Sequence, residues 1–352
     1  MIQRQLRVAV AGAGVIGRRH AELLAASPRA QLAAVADPSQ ASMDWATAQG
    51  VPHFGTLEAL LASGTPLDGV ILATPNPLHM PGAIACAARG LPALIEKPVA
   101  DTLANAQRLA QAVAAAGVPM LVGHHRRHSV QLLRAREVIA SGELGRIVTV
   151  MGSAQFAKPD AYFEDGPWRR QAGGGPILIN LIHEMDNLRY LCGEITSVHA
   201  LASSAVRGFE VEDTAVISLR FESGALGSFT LSDAGAGPFS WELTSGENPD
   251  YPHQAGRDCY VVTGTRGTLA VPTLQTWRYA GEASWRLPLQ RSDGSTERND
   301  PLAAQLEHFC DVISRKVAPR VTVADALQSL RVVEAVRRSI DTGASVAPES
   351  IA

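Results

Sequence analysis

Val8-Ala9-Val10-Ala11-Gly12-Ala13-Gly14-Val15-Ile16-Gly17 runs a short apolar strand straight into three spaced glycines, and helix formers follow from Arg18 to Ala26. Strand, glycine-rich turn and helix in that order make a cradle for a dinucleotide pyrophosphate. Gly12 permits the tight turn, Gly14 lets the backbone approach the phosphates, and Gly17 lets the helix lie close to the strand. Val15 and Ile16 then open the helix, where unpaired N–H groups favour an anion. Three glycines alone say little, since glycines punctuate many turns. Here a second apolar run, Gln31 to Ala36, ends in Asp37, 20 residues after Gly17. A carboxylate at that distance is placed to accept the adenosine ribose hydroxyls and to repel a 2′-phosphate, so NAD is expected in preference to NADP. No Arg follows within Pro38-Ser39-Gln40 to receive such a phosphate.

The rest of the chain fits that opening. Its 352 residues suggest about two domains. With 46% hydrophobic and 18% charged residues it can bury a sizeable core. The formal net charge of −3 and the absence of a strongly basic segment argue against nucleic acid as a partner. No apolar run is long enough for a membrane span, and no charged-then-apolar leader precedes the first strand, so a cytoplasmic protein is expected. Cys86, Cys192, Cys259 and Cys310 are scattered and form no CxxC, which suits reduced, buried thiols.

Up to Gly123 short apolar runs alternate with Ala-rich helical runs, the pattern of a doubly wound parallel sheet. Strands are expected at Leu6–Ala11, Gln31–Ala36, Gly69–Ala73, Ala93–Glu96 and Met120–Gly123. Helices are expected at Gly14–Ala26, Ser39–Gln49, Leu57–Ala62, Leu78–Arg89 and Thr102–Ala116, the last capped by Asp101 and stopped by Gly117. After a helical stretch, Ser129–Ser141, the pattern changes to half-exposed strands at Ile147–Ala157, Thr196–Ser204, Thr214–Phe221, Leu226–Ser232, Cys259–Thr263 and Gly267–Val271. That is an α+β domain with an open, mainly antiparallel sheet. Asp233–Gln254 reads as a long loop. Pro301–Ser314 and Val323–Asp341 are amphipathic helices expected to pack back near the first domain. The division is therefore 1–123, an NAD-binding Rossmann domain, and 124–352, an α+β domain, to which a family resemblance assigns substrate binding and oligomerisation.

Three more segments stand at the ends of expected elements. Ala73-Thr74-Pro75-Asn76-Pro77-Leu78-His79 closes the third strand, and ligands of such folds sit at the carboxyl ends of strands, so Thr74, Pro75, Asn76 and His79 are expected to border the cofactor. Glu96-Lys97-Pro98 closes the fourth, and a residue held before proline is restricted to extended backbone. Gly173-Gly174-Gly175-Pro176 opens a helix whose apolar face carries His183. Taken singly, Lys97 reads as a solvated lysine and His183 as a core histidine.

Taken together, these segments resemble the glucose–fructose oxidoreductase / inositol dehydrogenase / rhizopine-catabolism (Gfo/Idh/MocA) family, over essentially the whole chain. The resemblance implies an NAD-dependent oxidoreductase that moves hydride between nicotinamide and a secondary hydroxyl or ketone of a sugar, cyclitol or related polyhydroxy compound. It implies Lys97 and His183 as catalytic residues. Lys97 would bond the reacting oxygen and His183 would exchange the hydroxyl proton. It also implies a cofactor set of Gly12, Gly14, Val15, Ile16, Gly17, Asp37, Thr74, Pro75, Asn76, His79, Glu96 and Lys97, and a homodimer or homotetramer. Many members carry Asp four residues before the histidine. This chain has Ile179 there, with Asn180 and Asp186 as the nearest polar alternatives.

His124-His125-Arg126-Arg127-His128 invites a metal reading, but no convergent Cys or carboxylate partners are evident and none is expected to be bound. The resemblance instead puts Arg126 and Arg127 at the substrate cleft, and Trp168, Arg169 and Asn180 are expected to join them. Arginines there would suit an acidic substrate. Alternatives to a sugar or cyclitol dehydrogenase are a cis-dihydrodiol or acidic-sugar dehydrogenase, or, from another class, a non-catalytic NAD-binding redox sensor.

Overall fold

The computed structural model describes residues 4–294 and 297–351. The chain divides into two compact units. One comprises the chain up to His125 together with Leu302–Leu330; the other comprises Arg126–Pro301 and the chain from Arg331 onward.

The first unit is built on six strands: β1 (Leu6–Ala11), β2 (Ala30–Ala36), β3 (His53–Phe54), β4 (Gly69–Leu72), β5 (Ala93–Ile95) and β6 (Met120–Val122). All pair in parallel in the order β3-β2-β1-β4-β5-β6. Nearly every residue of β1, β4, β5 and β6 is buried, because helices cover both faces of such a sheet. Val8, Val10, Ile71, Leu94 and Leu121 share one core with Ala21 and Leu24 of helix Val15–Ala26 and with Leu306, Phe309 and Val312 of helix Pro301–Ile313. The order reverses between β1 and β4, which is where doubly wound sheets open a crevice at their carboxyl ends.

Local chemistry sets several boundaries that sequence patterning places elsewhere. The helix Leu103–Ala116 is capped by Thr102, whose hydroxyl accepts from Asn105 N–H at 3.2 Å, and not by Asp101, which instead accepts from the Asn105 side chain at 2.8 Å. Gly117 ends that helix at φ 63°. The segment expected as one helix from Leu78 is a 3₁₀ turn, Asn76–Leu78, followed by helix His79–Ala87. Strand β3, two residues long, carries no period to detect.

The second unit holds an eight-stranded sheet: β7 (Ile147–Gln155), β8 (Ile195–Ser203), β9 (Thr214–Phe221), β10 (Leu226–Ser232), β11 (Tyr260–Gly264), β12 (Gly267–Val271), β13 (Thr276–Arg278) and β14 (Gln290–Ser292). Their order is β14-β13-β12-β11-β7-β10-β9-β8, and only the β7–β10 pair is parallel. Buried and exposed residues alternate strictly in β9, so one face is covered and the other open. Met151, Leu201, Val216 and Leu226 are exposed on the open face. On the covered face lies helix Ile182–Cys192, whose Asn187 amide donates to the Tyr260 hydroxyl at 2.9 Å. The stretch Asp233–Gln254, expected as loop, contains a short helix, Trp241–Ser245, capped by Ser240. The last two strands at one end of the sheet, β13 and β14, three residues each, also escape the sequence pattern.

Candidate active site

In the first unit the cradle is made by backbone. Gly12 has φ +88°, and a Cβ there would stand 2.4 Å from the Ala73 carbonyl oxygen, so the ends of β1 and β4 press together only because position 12 lacks a side chain. A Cβ on Gly17 would stand 1.9 Å from the Gly12 carbonyl oxygen. Around Gly14 there is open space. Gly14 caps helix Val15–Ala26 with no side-chain bond to the first-turn N–H groups, and Val15 is 94% exposed. A bare helix start facing open space, with an unshielded apolar residue on it, fits a dinucleotide pyrophosphate.

Asp37 closes the same turn from β2. Its Oδ2 accepts from Ala13 N–H at 2.8 Å, and its Oδ1 from the Ser39 N–H at 2.9 Å and hydroxyl at 2.6 Å. Burial pushes this carboxyl up, but those bonds outweigh it and hold it below the usual range. The carboxylate is thus fixed and charged, with an acceptor site left on Oδ2 for a ribose hydroxyl.

After β4, Thr74 has a buried hydroxyl with no hydrogen-bond partner among the described residues. His79, expected to contact cofactor, is 1% exposed. Its Nδ1 lies 2.7 Å from the Pro98 carbonyl and its Nε2 2.8 Å from the Thr74 carbonyl. Each ring nitrogen faces a backbone carbonyl, so the ring sits between the Thr-Pro-Asn turn and the Glu-Lys-Pro turn. Glu96 is likewise turned inward. Its Oε1 meets Nε2 of the buried His20 at 2.8 Å, and its Oε2 accepts from the Lys97 N–H at 3.2 Å. Burial raises this carboxyl, and the His20 bond with the charges of His20, Lys97 and His125 brings it below its usual range. The side chains of His79 and Glu96 are thus turned to neighbouring protein groups, within and between the two turns.

In the second unit the glycine-rich turn leads into a π-turn, Ile177–Leu181, and then helix Ile182–Cys192, ended by Gly193 at φ 93°. The Glu212 carboxylate accepts from Ile177 N–H at 2.8 Å and so caps the whole segment. His183 is buried on it. The face expected to be apolar is not: Glu184, Asp186 and Arg189 are buried too.

Those charges claim the arginines expected to bind substrate. Arg126 is 2% exposed and donates to Glu184 at 2.7 Å and to Glu242. Arg127 grips Asp186 with two bonds, 2.7 and 3.0 Å, and lies 4.4 Å over the Tyr190 ring. Asp186, read from sequence as a neighbour that could orient His183, is held by Arg127 and lies 4.0 Å from Arg189. Arg169 stacks 3.8 Å over Tyr162 and donates to the Tyr162 carbonyl. Trp168 is 54% exposed, with the Arg169 guanidinium 5.6 Å over its ring. Asn180 accepts from Lys158 Nζ at 2.7 Å. Lys158, Glu184, Glu212 and Glu242 carry no sequence signal, since each acts through a partner distant in sequence.

Among the described residues no group of three or more His, Cys, Asp or Glu is placed to hold a metal, and no helix is long and apolar enough to cross a membrane.

A six-stranded sheet in this order with a bare glycine turn at its switch point defines a dinucleotide-binding protein. Residues 6–124 match the oxidoreductase family described as an NAD-binding Rossmann fold, and residues 132–270 match the GFO/IDH/MocA C-terminal domain. The chain is 30% identical over 339 residues to the rhizopine catabolism protein MocA of Rhizobium meliloti, covering 94% of each. It is 26% identical to the scyllo-inositol 2-dehydrogenase (NAD(+)) of Bacillus subtilis, covering 98% of this chain and 97% of that one. It superposes on the WlbA dehydrogenase of Bordetella pertussis, crystallised with NADH and UDP-GlcNAcA, with a TM-score of 0.80 and 26% identity over 98% of this chain and 99% of the other. The chain belongs to the Gfo/Idh/MocA family of NAD-binding oxidoreductases.

Proposed function

We propose that this enzyme oxidises a secondary hydroxyl of a sugar, cyclitol or related polyhydroxy compound, or reduces the matching ketone. The observation that carries the reading is the cradle at Gly12, Gly14 and Gly17, fixed by the charged Asp37, in a chain that also keeps Lys97 and His183. NAD supplies a hydride acceptor or donor at its nicotinamide. Gly14, Val15, Ile16 and Gly17 hold the pyrophosphate on the bare helix start, and Asp37 takes the ribose hydroxyls and disfavours a 2′-phosphate. Thr74, Pro75 and Asn76 border the nicotinamide ribose. Lys97 donates to the reacting oxygen and stabilises alkoxide character there. His183 takes the hydroxyl proton during oxidation and returns it during reduction. Asn180 and Trp168 contact substrate. Arg126, Arg127 and Arg169 act as positioning residues, because protein groups already hold their guanidinium forks.

The first unit thus binds cofactor and the second recognises substrate. We place the enzyme in the cytoplasm and pair two copies through the open face of the second unit's sheet, where Met151, Leu201, Val216 and Leu226 lie exposed. Light scattering at micromolar concentration should return a multiple of the 37.2 kDa protomer; a protomer mass would contradict the pairing. The reading itself is tested by following cofactor reduction over polyols, aldoses, sugar acids and dihydrodiols with NAD and NADP in parallel. Turnover with NAD on a polyhydroxy compound is expected. Preference for NADP would refute the role of Asp37. Binding of NAD with no turnover on any class would favour a redox sensor.

A further inference from the structure

His183 sits at a junction. The π-turn Ile177–Leu181 ends just before it, and helix Ile182–Cys192 has only begun. A π-turn winds the backbone wider than an α-helix, so the side-chain register above the junction does not carry over to the helix below it. Each side needs its own anchor. Above, Glu212 accepts from Ile177 N–H at 2.8 Å, and Asn180 accepts from Lys158 at 2.7 Å. Below, the helix buries Glu184, Asp186 and Asn187, and each is bonded to a part of the chain distant in sequence.

One of those anchors reaches the face of the helix that carries His183. Asn187 follows His183 by four residues, so it lies one turn on along the same face. Its amide donates to the Tyr260 hydroxyl at 2.9 Å, and that hydroxyl donates to the Glu184 carboxylate. Glu184 and Asn187 are three residues apart, so a single hydroxyl joins two neighbouring turns of the helix. Turning the helix about its axis breaks both bonds at once. Tyr260 has little room to follow such a turn. It is fully buried, its strand β11 lies between β12 and β7 inside the sheet, and its ring stacks on Trp241 at 5.9 Å. The other Glu184 oxygen accepts from Arg126 at 2.7 Å. The Asn187 Oδ1 is buried and has no hydrogen-bond partner among the described residues, so the bond to Tyr260 is what ties this amide down. Without the hydroxyl, a buried amide loses its donor bond, and the helix gains a reason to shift.

We propose that Tyr260 is a positioning residue: its hydroxyl, bridging Glu184 and Asn187, sets the rotation of helix Ile182–Cys192 that aims the His183 imidazole at the reacting hydroxyl. The inference rests on the reading of His183 as the group that exchanges the substrate proton. Proton transfer requires heavy atoms about 2.6–3.2 Å apart. Misplacement by about 1 Å costs on the order of 100-fold in rate. The hydroxyl should therefore be felt in kcat and not in the binding of NAD.

The test uses the full-length protein. Tyr260→Phe keeps the ring and removes only the hydroxyl, and Asn187→Ala removes the other end of the bridge and carries the same test if Tyr260→Phe loses its circular dichroism. With the best compound of the panel, each should lower kcat roughly 10- to 100-fold, with substrate KM and NAD affinity at wild-type values. The double variant should be no slower than the slower single one, because both remove one bridge. In a His183→Ala background Tyr260→Phe should cost nothing further. A wild-type kcat in Tyr260→Phe, or effects that multiply in the His183→Ala background, would overturn the proposal. A second readout needs no turnover. In nuclear magnetic resonance of protein carrying isotope-labelled histidine, the His183 ring signal is the one missing from His183→Ala. It should shift in Tyr260→Phe and in Asn187→Ala, while the signals of His20 and His79 in the first unit stay in place. An unmoved His183 signal would contradict the proposal whatever the rates. A displaced signal together with wild-type turnover in His183→Ala would uphold the bridge and sink the reading of His183 as the proton-exchanging group.

Discussion

Glu96 in the first unit and Glu184 in the second are both buried carboxylates on or beside elements that carry proposed catalytic residues, yet their surroundings drive them in opposite directions. Glu96 has His20 on one oxygen and the Lys97 N–H on the other, and it is held below the usual carboxylate range. Glu184 is raised: burial comes first, and although Arg126 pulls it down, Glu242 competes for the same guanidinium. The contrast extends further. Asp37 and Asp68 in the first unit are lowered by backbone N–H donors that outweigh burial. Glu212, Glu247 and Asp258 in the second are raised, burial leading in each case. In the first unit hydrogen bonds and charges outweigh the burial of these acids. In the second burial outweighs the donors, whether those are a backbone N–H, as for Glu212 and Asp258, or an arginine shared between two acids, as for Glu184.

The largest effect should follow from attacking the backbone-built unit at its tightest point. Gly17→Val puts a branched side chain where even a Cβ would stand 1.9 Å from the Gly12 carbonyl oxygen. Overpacking ordinarily costs about 1–3 kcal/mol, and here the obstruction is a backbone carbonyl that cannot rotate away. Loss of calorimetrically detectable NAD binding is expected; retained binding would mean that the turn is looser than its geometry.

In the second unit the matching attack is on charge. Arg127→Ala removes two hydrogen bonds, 2.7 and 3.0 Å, from the buried Asp186 carboxylate. Stability in urea should fall by about 3–5 kcal/mol, the usual cost of removing one member of a buried pair, while NAD binding, a property of the first unit, persists. A loss below about 1 kcal/mol would place Arg127 among ordinary surface pairs.

The smallest effect, and the sharpest comparison, is in pH. A raised carboxylate keeps its proton in the native state at pH values where the unfolded chain, with Glu near 4.3 and Asp near 3.9, has released it. Its contribution therefore improves as pH falls through the folded value. A lowered carboxylate behaves oppositely: its stabilisation is complete above the unfolded value and is lost as pH falls through the folded one. As pH falls from 7, hydrogen exchange corrected for intrinsic rates should show protection rising around Glu184, Glu212 and Glu247 and holding level around Asp37 and Asp68 until the unfolded carboxylate values are reached. Below about pH 4 the first unit should lose protection. Parallel behaviour of both units would erase the contrast.

The same difference decides what could be read from sequence. Gly12, Gly14, Gly17 and Asp37 act through spacing along one chain segment, so their arrangement is written in order. The alternation of Thr214–Phe221 was equally legible because a half-covered sheet needs it. The duty of Arg126 was not legible: its partners, Glu184 and Glu242, lie 58 and 116 residues away. A run of His and Arg looked like a surface offered to substrate, and the fold turned its arginines inward. Lys158 gave no signal at all, since a lone lysine before a proline reads as solvated until Asn180 is brought to it.

The central claim is that Lys97 and His183 perform the redox chemistry, and the steady-state rate of nicotinamide reduction measures it most directly. With the best substrate from the panel, Lys97→Met and His183→Ala should each lower kcat/KM on the order of 100-fold or more. NAD affinity should stay at the wild-type value in both, because neither side chain is assigned to the pyrophosphate. If either variant turns over at the wild-type rate with an unchanged pH profile, that residue is not a catalytic group and the account is contradicted.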